Sequence, residues 1–160
     1  MNPRIELLPQ KKLAGIFLTM SLLNDRTIEL WRSFMPMRKQ ISDTVGNELY
    51  SIGIYDHHYF ENFNPGREFI KGAAVEVTDD ITSIAGMNTL VIPSGLYAVF
   101  FYKGKSSEGS GFFHYIFSTW LPQSDFVIDD RPHLEILGAN YKNDDPDSEE
   151  EIWIPIKNKK

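Results

Sequence analysis

No cysteine occurs anywhere in the chain, which excludes a structural disulfide and a thiolate zinc site. Packing alone must hold the fold together. A chain of 160 residues is long enough for that, since a domain of this size buries roughly 70% of the surface its unfolded form exposes. Long apolar runs are missing too, and none approaches the ~20 residues of a membrane span. The start, Met1-Asn2-Pro3-Arg4-Ile5-Glu6, has no apolar core of a secretory signal. These absences lead us to expect one soluble, cytoplasmic domain over residues 1–160, with no membrane contact. Basic residues are scarce relative to acidic ones, 16 against 22, for a formal net charge of −6. That sign repels phosphate backbones, so direct nucleic-acid binding is not expected, whereas a cationic ligand is favoured.

Several chemical signatures are also lacking. Gly104-Lys105-Ser106 lies between a predicted strand and helix, but the glycine a phosphate loop needs five residues earlier is Val99. No G-x-S-x-G occurs, and no helical His-x-x-x-His pair. His57 and His58 sit beside Asp56 and Glu61, but adjacent residues on an extended chain point opposite ways, so a surface loop is the better reading. His114 reads as a boundary histidine. We expect no metal and no cofactor.

What the chain does have is aromatic rings: three Trp, seven Tyr and eleven Phe, 13% of residues. Such rings fill a core or line a cavity for a flat apolar ligand. Acid is concentrated between Asp144 and Glu151, a pattern usually found on a solvated loop.

The apolar periodicities predict an α+β chain. Leu13 to Thr19 reads as a strand. Leu30, Phe34, Met37 and Ile41 then form a helical stripe, with Asn24 or Asp25 as cap and Pro36 as a bend or break near Met35. Tyr50–Tyr55 and Phe69–Val77 read as strands, the second softened by Gly72, Ala73 and Ala74 so that another backbone or a ligand approaches closely. Thr89–Pro93 and Leu96–Tyr102 are strands. Phe112, Phe113, Ile116, Phe117, Trp120 and Leu121 mark a second helix, and His133–Leu137 and Glu150–Ile156 are the last strands. Lys157 to Lys160 reads as a frayed tail.

The order strand–helix–strand–strand occurs twice, with corresponding elements about eighty residues apart, which suggests an internal duplication. The expected fold is a tandem β-α-β-β repeat, residues 1–80 and 85–157. Antiparallel sheet and two main helices would surround a central cleft on a pseudo-twofold axis.

One constellation carries chemistry. Glu135 alternates with Leu134 and Ile136, and Glu151 and Trp153 alternate with Ile152, Ile154 and Ile156. If these strands pair with both carboxylates on one face, Trp153 joins them there. Acid beside an aromatic wall holds an organic cation by charge and cation–π attraction. Two close carboxylates can instead share a proton for acid–base work, or the face can simply be wet.

Trp120-Leu121-Pro122, Pro132-His133-Leu134-Glu135, the acidic stretch Asn143 to Ser148, and Glu151-Ile152-Trp153-Ile154-Pro155-Ile156 together resemble the GyrI-like effector-binding family. That family includes the ligand-binding domain of some AraC-type and MerR-type transcription regulators. Phe69–Val77 and Ile92-Pro93-Ser94-Gly95-Leu96-Tyr97-Ala98 fit the same pattern, so the resemblance covers about the whole chain. It implies a cleft whose buried glutamate, Glu135 by motif position, receives lipophilic cations or other flat ligands. Glu151 and Trp153 match the acid and aromatic of the final strand, and Trp120, Phe117, Tyr97 and Phe69 are candidate walls. Some family members resemble hydrolases of strained, reactive molecules, and others resemble gyrase inhibitors acting by protein contact. No DNA-reading helix-turn-helix is recognisable. The expectation is therefore a stand-alone small-molecule-binding protein, with a hydrolase (Glu135 or Glu151 steering water) and an interaction module as alternatives.

Overall fold

The computed structural model describes residues 2–78 and 84–159. The chain begins with β1 (Arg4–Leu8) and β2 (Lys11–Met20), then helix α1 (Thr27–Met37), β3 (Leu49–Ile54) and β4 (Phe69–Glu76). β5 (Asn88–Ile92) and β6 (Gly95–Lys103) lead to a second helical stretch. This comprises α2 (Ser110–Tyr115), a π-helical segment (Ile116–Trp120) and a last turn, α3 (Leu121–Gln123). β7 (Phe126–Ile128), β8 (His133–Leu137) and β9 (Glu149–Asn158) complete it. The fold is α+β, and among the described residues nine strands form one open sheet whose pairings are all antiparallel.

The strand order is β1-β6-β9-β8-β3-β4-β2-β5, with β7 beside β9. It is symmetric about the β3–β8 seam: β2, β3, β4 and β5 on one side answer β6, β8, β9 and β1 on the other. The first strands are exchanged. β1 runs directly into β2 yet pairs with β6, and β5 runs directly into β6 yet pairs with β2.

The helices lie on one face of the sheet, each over its own half. Leu30 and Phe34, fully buried, seat α1 on Ala14, Ala73 and Val75. Ile116 and Leu121 seat the second helical stretch on Ala98, Phe100, Ile152, Ile154 and Ile156. The opposite face is also apolar: Leu8, Leu13, Ile52, Ile92, Tyr97, Leu134 and Trp153 form one buried cluster. Edge strands β1 and β5 both contribute to it, so the sheet curls until its far edges share a core. Close approach inside the first half depends on Gly15, where a Cβ would lie 2.0 Å from the Ala73 carbonyl oxygen.

Local chemistry explains several boundaries. The Thr27 amide donates to Asp25 Oδ1 at 2.9 Å, which satisfies one free donor at the start of α1. Pro36 does not split the helix near Met35. It falls in the last turn, and the chain then tightens into a 3₁₀ turn, Arg38–Gln40. The carboxyl-terminal tail is strand as far as Asn158, because β7 pairs with it from Phe126 to Ile128. Lys160 lies outside the described residues.

Candidate functional site

The sheet register sets the site. Across the β3–β8 seam Ser51 faces Glu135 and Gly53 faces His133. On the next strands, Lys71 of β4 faces Gly53, and Ile152 of β9 faces Glu135. Residues directly opposite share a face, so Ser51, Gly53, Lys71, His133, Glu135 and Ile152 all point toward the helices. Alternation along β9 adds Ile154 and Glu150. Phe113 and Phe117 of the second helical stretch and Tyr55 and Phe60 from the β3–β4 connection close over these groups, leaving a cavity of about 50 Å³. The cleft is therefore mostly filled by rings. It sits on the seam but leans toward the second half, and α1 does not line it. Phe117 projects from the π-helical segment, a local widening often found at functional positions.

Two carboxyl groups meet here. Glu150 is 8% exposed and is hydrogen-bonded to Glu135. Burial first, then the charge and the hydrogen bond of Glu135, push the Glu150 pKa up to about 8, against a smaller pull downward from Lys71. Near neutral pH Glu150 thus holds its proton. Burial also raises the Tyr55 pKa, helped by the Glu135 charge. The His133 imidazole is pushed down to about 3, by burial and then by Arg131. It is a neutral ring at physiological pH. The aromatic wall is continuous, with Tyr55 and His133 centroids 4.8 Å apart and Phe117 and His133 6.3 Å apart.

Glu135 and Phe117 are thus brought together. Glu151 and Trp153 are not, contrary to the expected shared face. Trp153 faces Leu134, and Glu151 faces Ile136, which turns both to the far side of the sheet. The arrangement expected there, an acid beside an indole, does form, but its cation is internal. Trp153 Nε1 donates to Glu151 Oε1 at 3.1 Å, Arg4 Nη2 donates to Glu151 Oε2 at 3.0 Å, and the Arg4 guanidinium lies 5.8 Å from the indole centroid. Tyr97 is on that far face too. It donates to the Pro132 carbonyl at 2.8 Å under the Arg131 guanidinium, and burial pushes its pKa to about 12. Trp120 packs edge-on to Phe100 at 5.1 Å as core. Phe69 meets Tyr55 at 4.8 Å and lines a separate, open depression of about 460 Å³ with Asp56, Glu68 and Asp130.

Sequence reasoning missed Glu150, Lys71, Ser51, Tyr55, Phe60, Phe113 and His133. A signal for Glu150 existed, because it alternates with Ile152 and Ile154 and must share their face. It was submerged in the acidic run, whose other acids are exposed or half-buried. His57 and His58 are exposed, with His58 Nδ1 2.8 Å from Glu61. No group of three or more His, Asp or Glu among the described residues is placed to hold a metal ion.

Residues 1–157 match the profile of the GyrI-like small molecule binding domain, and the chain belongs to that family. It is a small-molecule binding domain related to the effector domains of transcription regulators. The transcriptional regulator BrlR of Pseudomonas aeruginosa is 27% identical over 157 residues, which is 98% of this chain but 56% of BrlR. The chain thus spans little more than half of that curated relative. Among solved structures, SAV2435 bound to tetraphenylphosphonium superposes with TM-score 0.69 at 17% identity, covering 98% of this chain and 94% of that one. The EcmrR C-terminal domain gives 0.71 at 12% identity, with 97% and 96% covered. At such identities these likenesses establish the fold. No helix among the described residues is long and apolar enough to cross a membrane.

Proposed function

We propose that the cavity over the β3–β8 seam receives this domain's small molecule, and that the ligand is lipophilic, flat and positively charged. The Glu135–Glu150 pair carries the reading. Two carboxyl groups are hydrogen-bonded to each other among aromatic rings, where an isolated charge is costly and an incoming cation is correspondingly favoured. The tetraphenylphosphonium held by SAV2435 is itself a lipophilic cation. Pockets for ligands of that size run to roughly 300–1,000 Å³, so the rings over the cavity must part on binding. In this reading residues 1–160 act as one cytoplasmic binding unit built from halves near 1–80 and 85–157, without direct nucleic-acid contact.

Calorimetric titration with a matched pair of probes tests it: N-methylacridinium, a permanent cation, and acridine, its neutral analogue near and above neutral pH. Bound cation favours ionised Glu150, so affinity for N-methylacridinium should rise as pH climbs toward about 8 and level off above it. The gain is about tenfold for each unit by which the cation lowers the Glu150 pKa. Acridine should show no such rise. Equal pH profiles for the two probes would remove the acid pair from recognition.

The shared proton beside Tyr55 also suits acid–base hydrolysis of a reactive small molecule, with Glu135 delivering water and Glu150 protonating the leaving group. Turnover of a strained electrophile, abolished in Glu135→Gln, would favour this second reading. Saturable binding without turnover would favour the first.

A further inference from the structure

We propose that the ring of Phe60 stands in for a ligand: it occupies the place where a planar aromatic group of the bound molecule stacks, and binding displaces it. The inference rests on the small-molecule reading above and adds to it where the flat ligand stacks and which residue it must move.

Phe60 is carried on the connection between β3 and β4. Its ring stacks on Phe117 with centroids 5.0 Å apart and planes 19° apart, and on His133 at 5.3 Å and 24°. Phe117 and His133 are themselves neighbours at 6.3 Å, so a single ring covers both. Near-parallel stacking on two partners is the arrangement a planar ligand would adopt against the same floor. The imidazole is neutral, so this floor accepts a neutral or a cationic ring.

Phe60 is the outermost ring of the site, 36% exposed, whereas its neighbour Tyr59 is 7% exposed and packs with Met20 and Phe69. Arg67 Nη1 ties the same segment down by donating to the His58 carbonyl at 2.7 Å and the Tyr59 carbonyl at 3.3 Å. Those bonds anchor the backbone just before a side chain whose outer face meets solvent, and just after it the Glu61 amide donates to the His58 carbonyl at 3.1 Å. Rotation about its Cα–Cβ bond carries the ring out without unravelling the connection. Beneath the ring lies the cavity, with Ser51, Lys71 and Glu135 in its wall. Once Phe60 leaves, cavity and ring position merge into a slot with an aromatic floor and carboxyl groups at the back. That slot fits a planar ring system bearing one cationic or hydrogen-bonding edge.

A planar ligand that takes this floor must then break the stacked pairs of Phe60 with Phe117 and His133, and with them its tilted contact to Tyr55 and its edge-on contact to Tyr59, both at 5.0 Å. Each pair is worth roughly threefold to tenfold in an equilibrium constant. Removing the stand-in ring returns that cost, so the sign of the effect on affinity separates a displaced ring from a gripping wall. Wild type, Phe60→Ala and Phe60→Leu are titrated with N-methylacridinium, acridine and tetrabutylammonium, a saturated cation. Far-ultraviolet circular dichroism and thermal unfolding confirm that each variant folds. We expect Phe60→Ala to bind both planar probes about tenfold tighter, Phe60→Leu to fall between it and wild type, and tetrabutylammonium to gain much less. Weaker or unchanged planar binding in Phe60→Ala, while wild type still binds, overturns the displacement and leaves the ligand reading intact. An equal gain for tetrabutylammonium overturns the planar-ring assignment. If Phe60→Ala does not fold, the absence of any gain in Phe60→Leu overturns the proposal. Binding of neither cation by any of the three proteins overturns the ligand reading together with it.

Discussion

Replacing Glu150 by glutamine should reshape the pH dependence of stability, in a direction fixed by linkage. In the folded chain Glu150 holds its proton up to about 8, against an ordinary value of 4.5. Between those values the folded state binds more protons than the unfolded one, so stability falls as pH rises, by about 1.4 kcal/mol per pH unit and close to 5 kcal/mol in full. His133 contributes the opposite slope. Its folded value of about 3 lies below the ordinary 6.5, so the unfolded state binds the extra proton. Its contribution is complete above about pH 6.5 and is lost as pH falls toward 3. The two slopes oppose one another between about 4.5 and 6.5, and above that window the Glu150 slope stands alone. Wild type should therefore be most stable in mildly acidic buffer and lose about 2 kcal/mol from pH 6.5 to pH 8. Glu150→Gln keeps the shape of the protonated acid and removes the titration, so its profile should be level there. Urea unfolding followed by circular dichroism measures both profiles at half-unit pH steps. Parallel curves for the two proteins from pH 6.5 to about 9 would refute the reasoning, because they would mean that Glu150 ionises freely and is not packed against Glu135.

The remaining predictions concern ligand and surface. Glu135→Gln should cost roughly 1.5–3 kcal/mol of affinity for N-methylacridinium, the scale of a charge-assisted hydrogen bond, whereas Glu151→Gln should leave calorimetric affinity unchanged. The partly exposed Arg4–Glu151 contact should limit the stability loss in Glu151→Gln to about 1 kcal/mol in urea titration. Gly53→Ala should weaken binding of both acridine probes, since a Cβ there would lie 2.7 Å from Tyr55 ring atoms and its hydroxyl oxygen and push that ring off the strand; unchanged calorimetric affinity would count against Tyr55 as a wall. At moderate salt the purified chain should give no sequence-dependent shift of duplex DNA in a gel, given its net charge of −6.

The helices and seven of the strands were legible because each carries an apolar pattern of its own period. The two strands that were not legible have little pattern to read. In β1, Ile5 and Leu7 are exposed, and the strand exists because β6, some ninety residues away, supplies its hydrogen bonds. β7 has three residues and depends on the end of β9. At the site, alternation correctly turned Glu135 away from Leu134 and Ile136. Which side of β9 joins it depends on whether the β8–β9 register is odd or even, and the long connection between them hides that. Ile152, Ile154 and Ile156 were read as facing a core and Glu151 and Trp153 as facing a pocket, but β9 is covered on both sides. Phe60, His133 and Tyr55 come together only through tertiary packing, and no local spacing announces them.

The exchange of β1 and β5 between the halves bears on how the molecule is made. As synthesis proceeds from the amino terminus, β1 emerges first and has nothing to pair with until β6 follows. β2, though flanked by β4 on one side, keeps its other edge bare until residues 88–92 arrive. An unpaired edge invites pairing with foreign strands, so the first half is most exposed to misassembly while the second is still being synthesised. Neither half can finish alone. A cut in the connection between β4 and β5 would release two pieces that each carry the other's edge strand, and they would regain the sheet only by finding one another again.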